Sequence, residues 1–248
     1  MRPEKCSHIV VGMGKRFKGR PCAYCDAVGV TADHVFARNF FPVGDRANLP
    51  QVSACEPCNR EKSQLEHYLL SVLPFGGNHP ASSAILAGQV PRRLEKNRKL
   101  HAALAGGKRE VLLRNENGVS ESLTLPFDST KLSRLFEFVA KGLVQYHWEL
   151  RVPADYFVGA GFLSREAERF FEQLMSRCSR AEARGDLGRG LILYQGVQTV
   201  DNPLTTIWRF QLYGGIQFGG DPQGHSKAVS NIWASTSRKP VPGLSAPG

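Results

Sequence analysis

Apolar side chains recur at helical spacing in two long segments of the second half of the chain. The first segment runs from Asp128 or Ser129, either of which could cap a helix, to about Leu150. The second begins near Ser164 and is expected to end at Gly185. The apolar positions are Leu132, Leu135, Phe136, Val139, Leu143 and Leu150 in the first and Ala167, Phe170, Phe171, Leu174, Met175 and Cys178 in the second. The spacing predicts two amphipathic helices.

Shorter apolar runs bounded by turn residues predict strands. Two such runs, 111–113 and 119–125, flank the pair Asn117-Gly118, which is a strong hairpin signal. Further strands are expected near 190–198 and 205–218, and the latter alternates apolar and polar residues. The pair Gly214-Gly215 indicates a bulge or a tight turn.

These elements predict an α+β fold in which a small domain precedes a larger one with two helices and an antiparallel sheet. A basic helix is expected over 91–105, starting at Pro91. The tail from Ser235 is rich in Ser, Pro and Gly and is expected to be disordered. The predicted segments are a basic lead-in at 1–20, a small motif-bearing domain at 21–75, a basic connector helix at 76–110, an α+β domain at 111–234 and a disordered tail at 235–248.

Charge narrows the class of partner. Lys and Arg outnumber Asp and Glu by 32 to 22, for a formal charge of +10. The excess is concentrated in residues 76–115, which hold eight basic and two acidic side chains. This distribution favours a polyanion such as nucleic acid, with an anionic membrane surface as the alternative.

No stretch of 18 apolar residues is present, and the N-terminus does not resemble a signal peptide, so we expect neither a membrane partner nor secretion. A reducing, cytoplasmic setting follows as an expectation. Cysteines in that setting are metal ligands or buried thiols more often than disulfides.

Four of the six cysteines form two Cys-x2-Cys pairs. Cys22 and Cys25 make the first pair, and Cys55 and Cys58 make the second. Four thiolates are the ligand set of a closed tetrahedral zinc site, in which no coordination position is open to substrate. We therefore predict a structural zinc ion, against the alternative of four buried, unliganded thiols.

Further motif residues lie between and after the two pairs. Asp33-His34-Val35 and Asn48-Leu49 come between them. Asn59 follows Cys58 directly, and Lys62 comes three residues after Asn59. In this order, over residues 22–66, the set resembles the HNH endonuclease family, which has the ββα-metal fold. Asn59 stands where many members have His, so the chain is similar to an HNN variant.

The resemblance implies hydrolysis of phosphodiester bonds in DNA, with double-stranded DNA as the expected form. A neutral imidazole can take a proton from water near pH 7, so His34 is the candidate general base. Asp33 points to the other side of a strand from His34, and together with Asn59 it is expected to hold magnesium or manganese. Asn48 would orient the imidazole. Its longer gap to Cys55 makes Asn39 a substitute for that role.

Several residues are weaker candidates. Glu66 shares a helix face with Asn59 and Lys62, and it could bind the metal or hold Lys62 in place. The residues expected to contact nucleic acid are Arg38, Lys62, Arg92 and Arg93.

Two other functional hypotheses remain open. The chain could be a zinc-stabilised module that binds nucleic acid or a protein without cutting. It could also belong to a bacterial defence or mobile-element system, in which the region after the motif acts as a sensor or regulator.

Overall fold

The computed structural model describes residues 17–115, 118–163, 165–177, 180–217 and 229–240. Within these ranges the chain is a mixed α and β protein with five α-helices and antiparallel sheets. None of the helices in the described ranges is long and apolar enough to cross a bilayer.

The motif-bearing segment forms a hairpin followed by a helix. Strands β1 (Thr31–His34) and β2 (Gln51–Ala54) pair antiparallel, and helix α1 (Glu56–Val72) follows directly. Pro57 lies in the first turn of α1, where its missing N–H leaves no hydrogen bond unmade. The second cysteine pair spans this junction between β2 and α1. Local sequence thus places both cysteine pairs at the ends of one compact unit.

The predicted basic lead-in packs against this unit at its C-terminal end. Residues 1–16 lie outside the described residues. The amide of Gly19 donates to the Gly29 carbonyl, and Ser53 Oγ donates to the carbonyls of Phe17 and Arg20. Residues 17–20 therefore bond to the hairpin unit, and the expected boundary at residue 20 stays a prediction.

The connector is longer and more helical than predicted. Helix α2 (Pro80–Lys96) starts eleven residues before the expected start at Pro91, and Asn97 separates it from α3 (Arg98–Gly107). His79 caps α2 by accepting from the Ala81 amide, and the Asn97 side chain caps α3. Pro91 lies inside α2. The prediction failed because Pro80 and Pro91 both qualify as helix starts, and only the first has a capping side chain before it.

The predicted hairpin is confirmed by strands β3 (Arg109–Asn115) and β4 (Gly118–Thr124), which pair antiparallel. Asn117 itself lies outside the described residues. Leu112, Val119 and Leu123 are exposed on this hairpin.

The first amphipathic helix is α4 (Ser129–Trp148), and the prediction that Asp128 caps it is confirmed by bonds from the amides of Thr130 and Lys131. Helix α5 (Arg165–Arg177) is the second, and Ser164 and Cys178 lie outside the described residues.

A five-stranded antiparallel sheet forms the other layer of the C-terminal region. Its order is β5-β11-β8-β7-β6, so the last strand of the chain lies inside the sheet. A separate two-stranded pair joins β9 to β10, and the turn before β9 contains Gly214 and Gly215, both at positive φ, as expected for a tight turn. The strands are β5 (Phe157–Phe162), β6 (Ala181–Leu187), β7 (Ile192–Gln198), β8 (Thr206–Leu212), β9 (Ile216–Gln217), β10 (Val229–Ser230) and β11 (Ile232–Ser237).

Two sequence predictions in this region are wrong. Helix α5 ends at Arg177, and Gly185 lies within β6 instead of ending the helix. Gly185 pairs with Tyr194, whose ring would be 2.2 Å from a Cβ at that position, so glycine is required for packing. The tail does not begin at Ser235, because β11 continues to Ser237 with Ser235 and Thr236 fully buried.

One hydrophobic core joins the motif-bearing segment to the rest of the chain. Helix α4 packs against α1 and β2 on one side and against β5 and β11 on the other. The same cluster of buried residues includes Phe36 from the loop after β1 and Phe210 from β8, whose ring centroids lie 6.3 Å apart. The sheet and α4 therefore support the hairpin that carries the candidate site.

Candidate metal centre and active site

The four predicted zinc ligands meet in space. The sulfur atoms of Cys22, Cys25, Cys55 and Cys58 all lie within 4.8 Å of one another, and the Cys25 and Cys55 sulfurs are 3.6 Å apart. A tetrahedral zinc ion with Zn–S bonds of about 2.3 Å requires sulfur separations of about 3.8 Å. The donor set and its spacing therefore fit zinc.

Backbone amides and burial support the same interpretation. The amides of Tyr24 and Cys55 donate to Cys22 Sγ at 3.4 and 3.3 Å. Burial and bonds from neighbouring sulfurs raise the pKa of Cys58, so this thiol resists ionisation unless a cation compensates. A bound zinc ion would supply that compensation and hold the two ends of the hairpin unit together.

Strand β1 places Asp33 and His34 on opposite sides, as predicted. Asp33 turns inward and is only 7% exposed, whereas His34 is half-buried and borders a cleft. Tyr24 donates its hydroxyl to Asp33 Oδ2 at 2.5 Å. Burial and the Asp33 charge raise the pKa of Tyr24 well above its usual value, which keeps that hydroxyl a donor. The first cysteine pair is thus linked directly to β1.

Lys62 occupies the centre of this buried region. Its ammonium lies 3.1 Å from Asp33 Oδ2, 2.5 Å from Glu66 Oε1 and 2.7 Å from the His34 carbonyl. These three acceptors match the three donors of an ammonium group. Burial alone would lower the pKa of Lys62, but Glu66 and Asp33 outweigh it and raise the pKa.

The prediction that Lys62 contacts a phosphate is therefore wrong. Its side chain has no exposed surface, and its donors are used within the protein. The alternative reading of Glu66, as the residue that holds Lys62, agrees with the ion pair. Glu66 is itself buried, which raises its pKa to about 7 although Lys62 opposes the shift.

The carboxylates expected to hold magnesium or manganese do not fit that role as they lie here. The Asp33 carboxylate already accepts a hydrogen bond from Tyr24 and pairs with the Lys62 ammonium, and a divalent cation beside that buried ammonium would be repelled. Among the described residues, no hydrogen bond joins Asn59 to Asp33, and the Asn59 amide donates to the Cys55 carbonyl as part of the helix. Within the described ranges, the four cysteines are the only close group of three or more His, Cys, Asp or Glu side chains.

His34 has a side-chain partner that sequence reasoning missed. Gln51 lies opposite it across the β1–β2 pair, and its amide nitrogen is 2.7 Å from His34 Nε2. An amide N–H donates, so this bond leaves the ring proton on Nδ1, and Nε2 becomes free to act as a base when water displaces the Gln51 amide. The register of a predicted hairpin could have identified Gln51, but the long loop between the strands hides that register.

Burial and the nearby Arg38 guanidinium lower the pKa of His34 below its usual 6.5. The imidazole is therefore neutral near pH 7, the form that a general base requires.

A cleft of about 780 Å³ opens beside His34. Arg20, Arg38 and Arg46 line it, and Glu149 at the end of α4 is the one acidic residue among the described residues that does. Asn48 also lines the cleft, with a φ of 55° that Asn tolerates better than most residues. This surface is concave, polar and predominantly cationic, and it suits an anionic ligand.

The remaining residues that the sequence predicted for the site do not line the cleft. Asn39 is not among the residues that line the cleft, and its carbonyl accepts from Arg93. The Arg93 guanidinium also bonds to the Leu70 carbonyl and to Gln89, which links α2 to α1, and its role in binding nucleic acid stays a prediction. Arg92 is exposed on α2, outside the cleft.

No family model, curated protein or solved structure matches this chain.

Proposed function

We propose that the chain is an HNH-type, zinc-stabilised endonuclease that hydrolyses phosphodiester bonds in DNA, with His34 as the general base. The observation that carries this proposal is the neutral imidazole of His34 at the wall of an arginine-lined cleft. Strands β1 and β2 lie between the two cysteine pairs and α1 follows them, which is the ββα order that the sequence resemblance implies.

Each residue of the cleft has a different proposed role in hydrolysis. His34 takes the proton from an attacking water. Arg38 and Arg46 bind the phosphate and stabilise the negative charge that develops on it. Asn48 lies close enough to the cleft to orient substrate or water. Lys62 bonds to the His34 carbonyl and so fixes the backbone that carries the imidazole.

The magnesium or manganese ion stays a prediction of the sequence resemblance, and no step is assigned to it. The proposed setting is the reducing cytoplasm, where four thiols bind zinc in preference to forming disulfides. A role in bacterial defence is likewise a proposal that rests on the resemblance.

A cleavage assay on supercoiled plasmid and on circular single-stranded DNA tests the proposal. Zinc-loaded wild type is compared with His34→Ala and with the matched control His101→Ala, which changes an exposed histidine of α3. We expect cleavage by wild type and by the control and none by His34→Ala. Each reaction is run with magnesium, with manganese and with neither, which tests the metal requirement separately.

Equal cleavage by wild type and His34→Ala, at equal zinc content, would contradict the assigned role of His34. Absence of cleavage of both DNA forms by all three proteins would contradict the proposed nuclease activity. The second candidate, a binding module without catalysis, would then gain support if wild type still bound DNA. The specific observation that favours it is the engagement of Asp33 by Lys62.

A further inference from the structure

One wall of the cleft comes from α4, outside the segment that carries the resemblance. Gln145, Tyr146 and Glu149, in the last turns of the helix, face the same cleft as His34 and the three arginines. The cleft therefore has two chemically different sides. The hairpin and its loop supply cations, and the end of α4 supplies an aromatic ring, an amide and the Glu149 carboxylate.

Tyr146 is an exposed aromatic residue in the last turn of the amphipathic helix α4. Its side chain is 44% exposed, and its ring packs edge-on against His147, with ring centroids 4.9 Å apart. His147 is in turn held by Tyr194, whose hydroxyl lies 2.9 Å from His147 Nε2. The ring is thus supported from behind while it remains open to a ligand.

The adjacent Gln145 adds a polar group to the same wall. Its carbonyl oxygen Oε1 is buried and has no hydrogen-bond partner among the described residues.

We propose that this cleft binds unpaired nucleotides of single-stranded nucleic acid, with a base stacked on Tyr146 and the backbone phosphates on Arg38 and Arg46. In a duplex both faces of each base are covered by its neighbours, so only an unpaired base offers a face to the ring. Stacking on aromatic side chains beside a cationic groove is how proteins hold single strands. The inference rests on the proposed function for its reaction, and it revises the expected substrate from double-stranded to single-stranded.

Binding is measured in a His34→Ala background, so that no cleavage occurs, by fluorescence anisotropy with labelled single-stranded DNA, single-stranded RNA and duplex DNA. We expect single strands to bind more tightly than the duplex. Tyr146→Ala is expected to weaken single-strand binding about 5- to 150-fold, which corresponds to the loss of about 1–3 kcal/mol of stacking per base. Tyr146→Phe keeps the ring and should keep the affinity. The matched control is Phe170→Ala, which removes an exposed ring of α5.

Three results would overturn the inference. These are duplex binding at least as tight as single-strand binding, a Tyr146→Ala affinity equal to that of its parent, and an equal loss in Phe170→Ala. The failure of this inference is distinguishable from failure of the proposed function.

If binding depends on Tyr146 but cleavage does not depend on His34, only the role of His34 as the general base is refuted. If duplex is cut in a His34-dependent way and Tyr146 has no effect, only the stacking proposal is refuted.

Discussion

Replacement of Lys62 by Met tests whether the buried ammonium holds the hairpin and α1 together. Met has a similar length and removes the charge and all three donors. The change leaves the Asp33 and Glu66 carboxylates and the His34 carbonyl without their common partner, in a region where Lys62 has no exposed surface. Tyr24 alone would still donate to Asp33.

The size of the effect follows from the burial. Removing one partner of a buried ion pair lowers the free energy of unfolding by about 3–5 kcal/mol, because the remaining charge is uncompensated. Domains are commonly stable by about 5–15 kcal/mol, so this loss would be a large part of the total. For a chain of this length it corresponds to a decrease in Tm of about 6–20 °C.

The deficit should also depend on pH. The folded-state pKa of Glu66 is about 7, above its unfolded value of 4.5, so its contribution favours folding at low pH and is lost as pH rises from 4.5 to 7. Lys62 opposes this rise in the wild type. Without Lys62 the pKa increases further, and Glu66 stays protonated to higher pH. The variant should therefore lie closest to wild type in acid and furthest from it above pH 7.

Urea unfolding of zinc-loaded protein, followed by circular dichroism at several pH values, measures both effects. The control is Lys96→Met, which changes an exposed lysine in the last turn of α2 and should alter stability by about 0.5 kcal/mol or less. The reasoning would be refuted if Lys62→Met unfolded at the same urea concentration as the control, or if the difference from wild type did not grow with pH.

Three further predictions follow from the geometry. Cys55→Ser should lose the bound zinc ion, measured by metal analysis, and should melt at a lower temperature because a tetrahedral ligand is removed. The acidic limb of the cleavage rate against pH should have its midpoint below 6.5, since the base must be neutral, and Arg38→Ala should move it upward by removing a charge that lowers the pKa of His34. Gly196→Ala should destabilise the sheet by about 1–3 kcal/mol in urea unfolding, because a Cβ there would lie 2.1 Å from the Trp208 ring.

Each of these predictions has a result that would contradict it. A full equivalent of zinc in Cys55→Ser would show that the cluster is not the zinc site. An acidic limb that does not move in Arg38→Ala would remove the electrostatic link to His34. For Gly196→Ala the control is Gly44→Ala, where a Cβ would meet nothing within 4 Å, and equal stability of the two variants would contradict the packing argument.

Sequence by itself determined the features that depend on short-range pattern. The two Cys-x2-Cys pairs predicted the thiol cluster, since each pair is a local motif and four thiolates favour one ion. The apolar spacing and the Asp128 cap predicted α4, and the Asn117-Gly118 signal predicted the β3–β4 hairpin. The alternation of side chains along a strand also placed Asp33 and His34 on opposite sides.

The tertiary structure alone decided which partner each of these side chains has. Lys62 was expected at a phosphate, and it is buried because β1 brings Asp33 to it from 29 residues away in sequence. Gly185 lies in β6 and not at a helix end, because it pairs with Tyr194 of β7 and the ring of that tyrosine covers it. Residues 235–237 are ordered because neighbouring strands β5 and β8 pair with them. In each case a contact distant in sequence outweighs the local signal, since burial and strand pairing contribute more free energy than local propensity does.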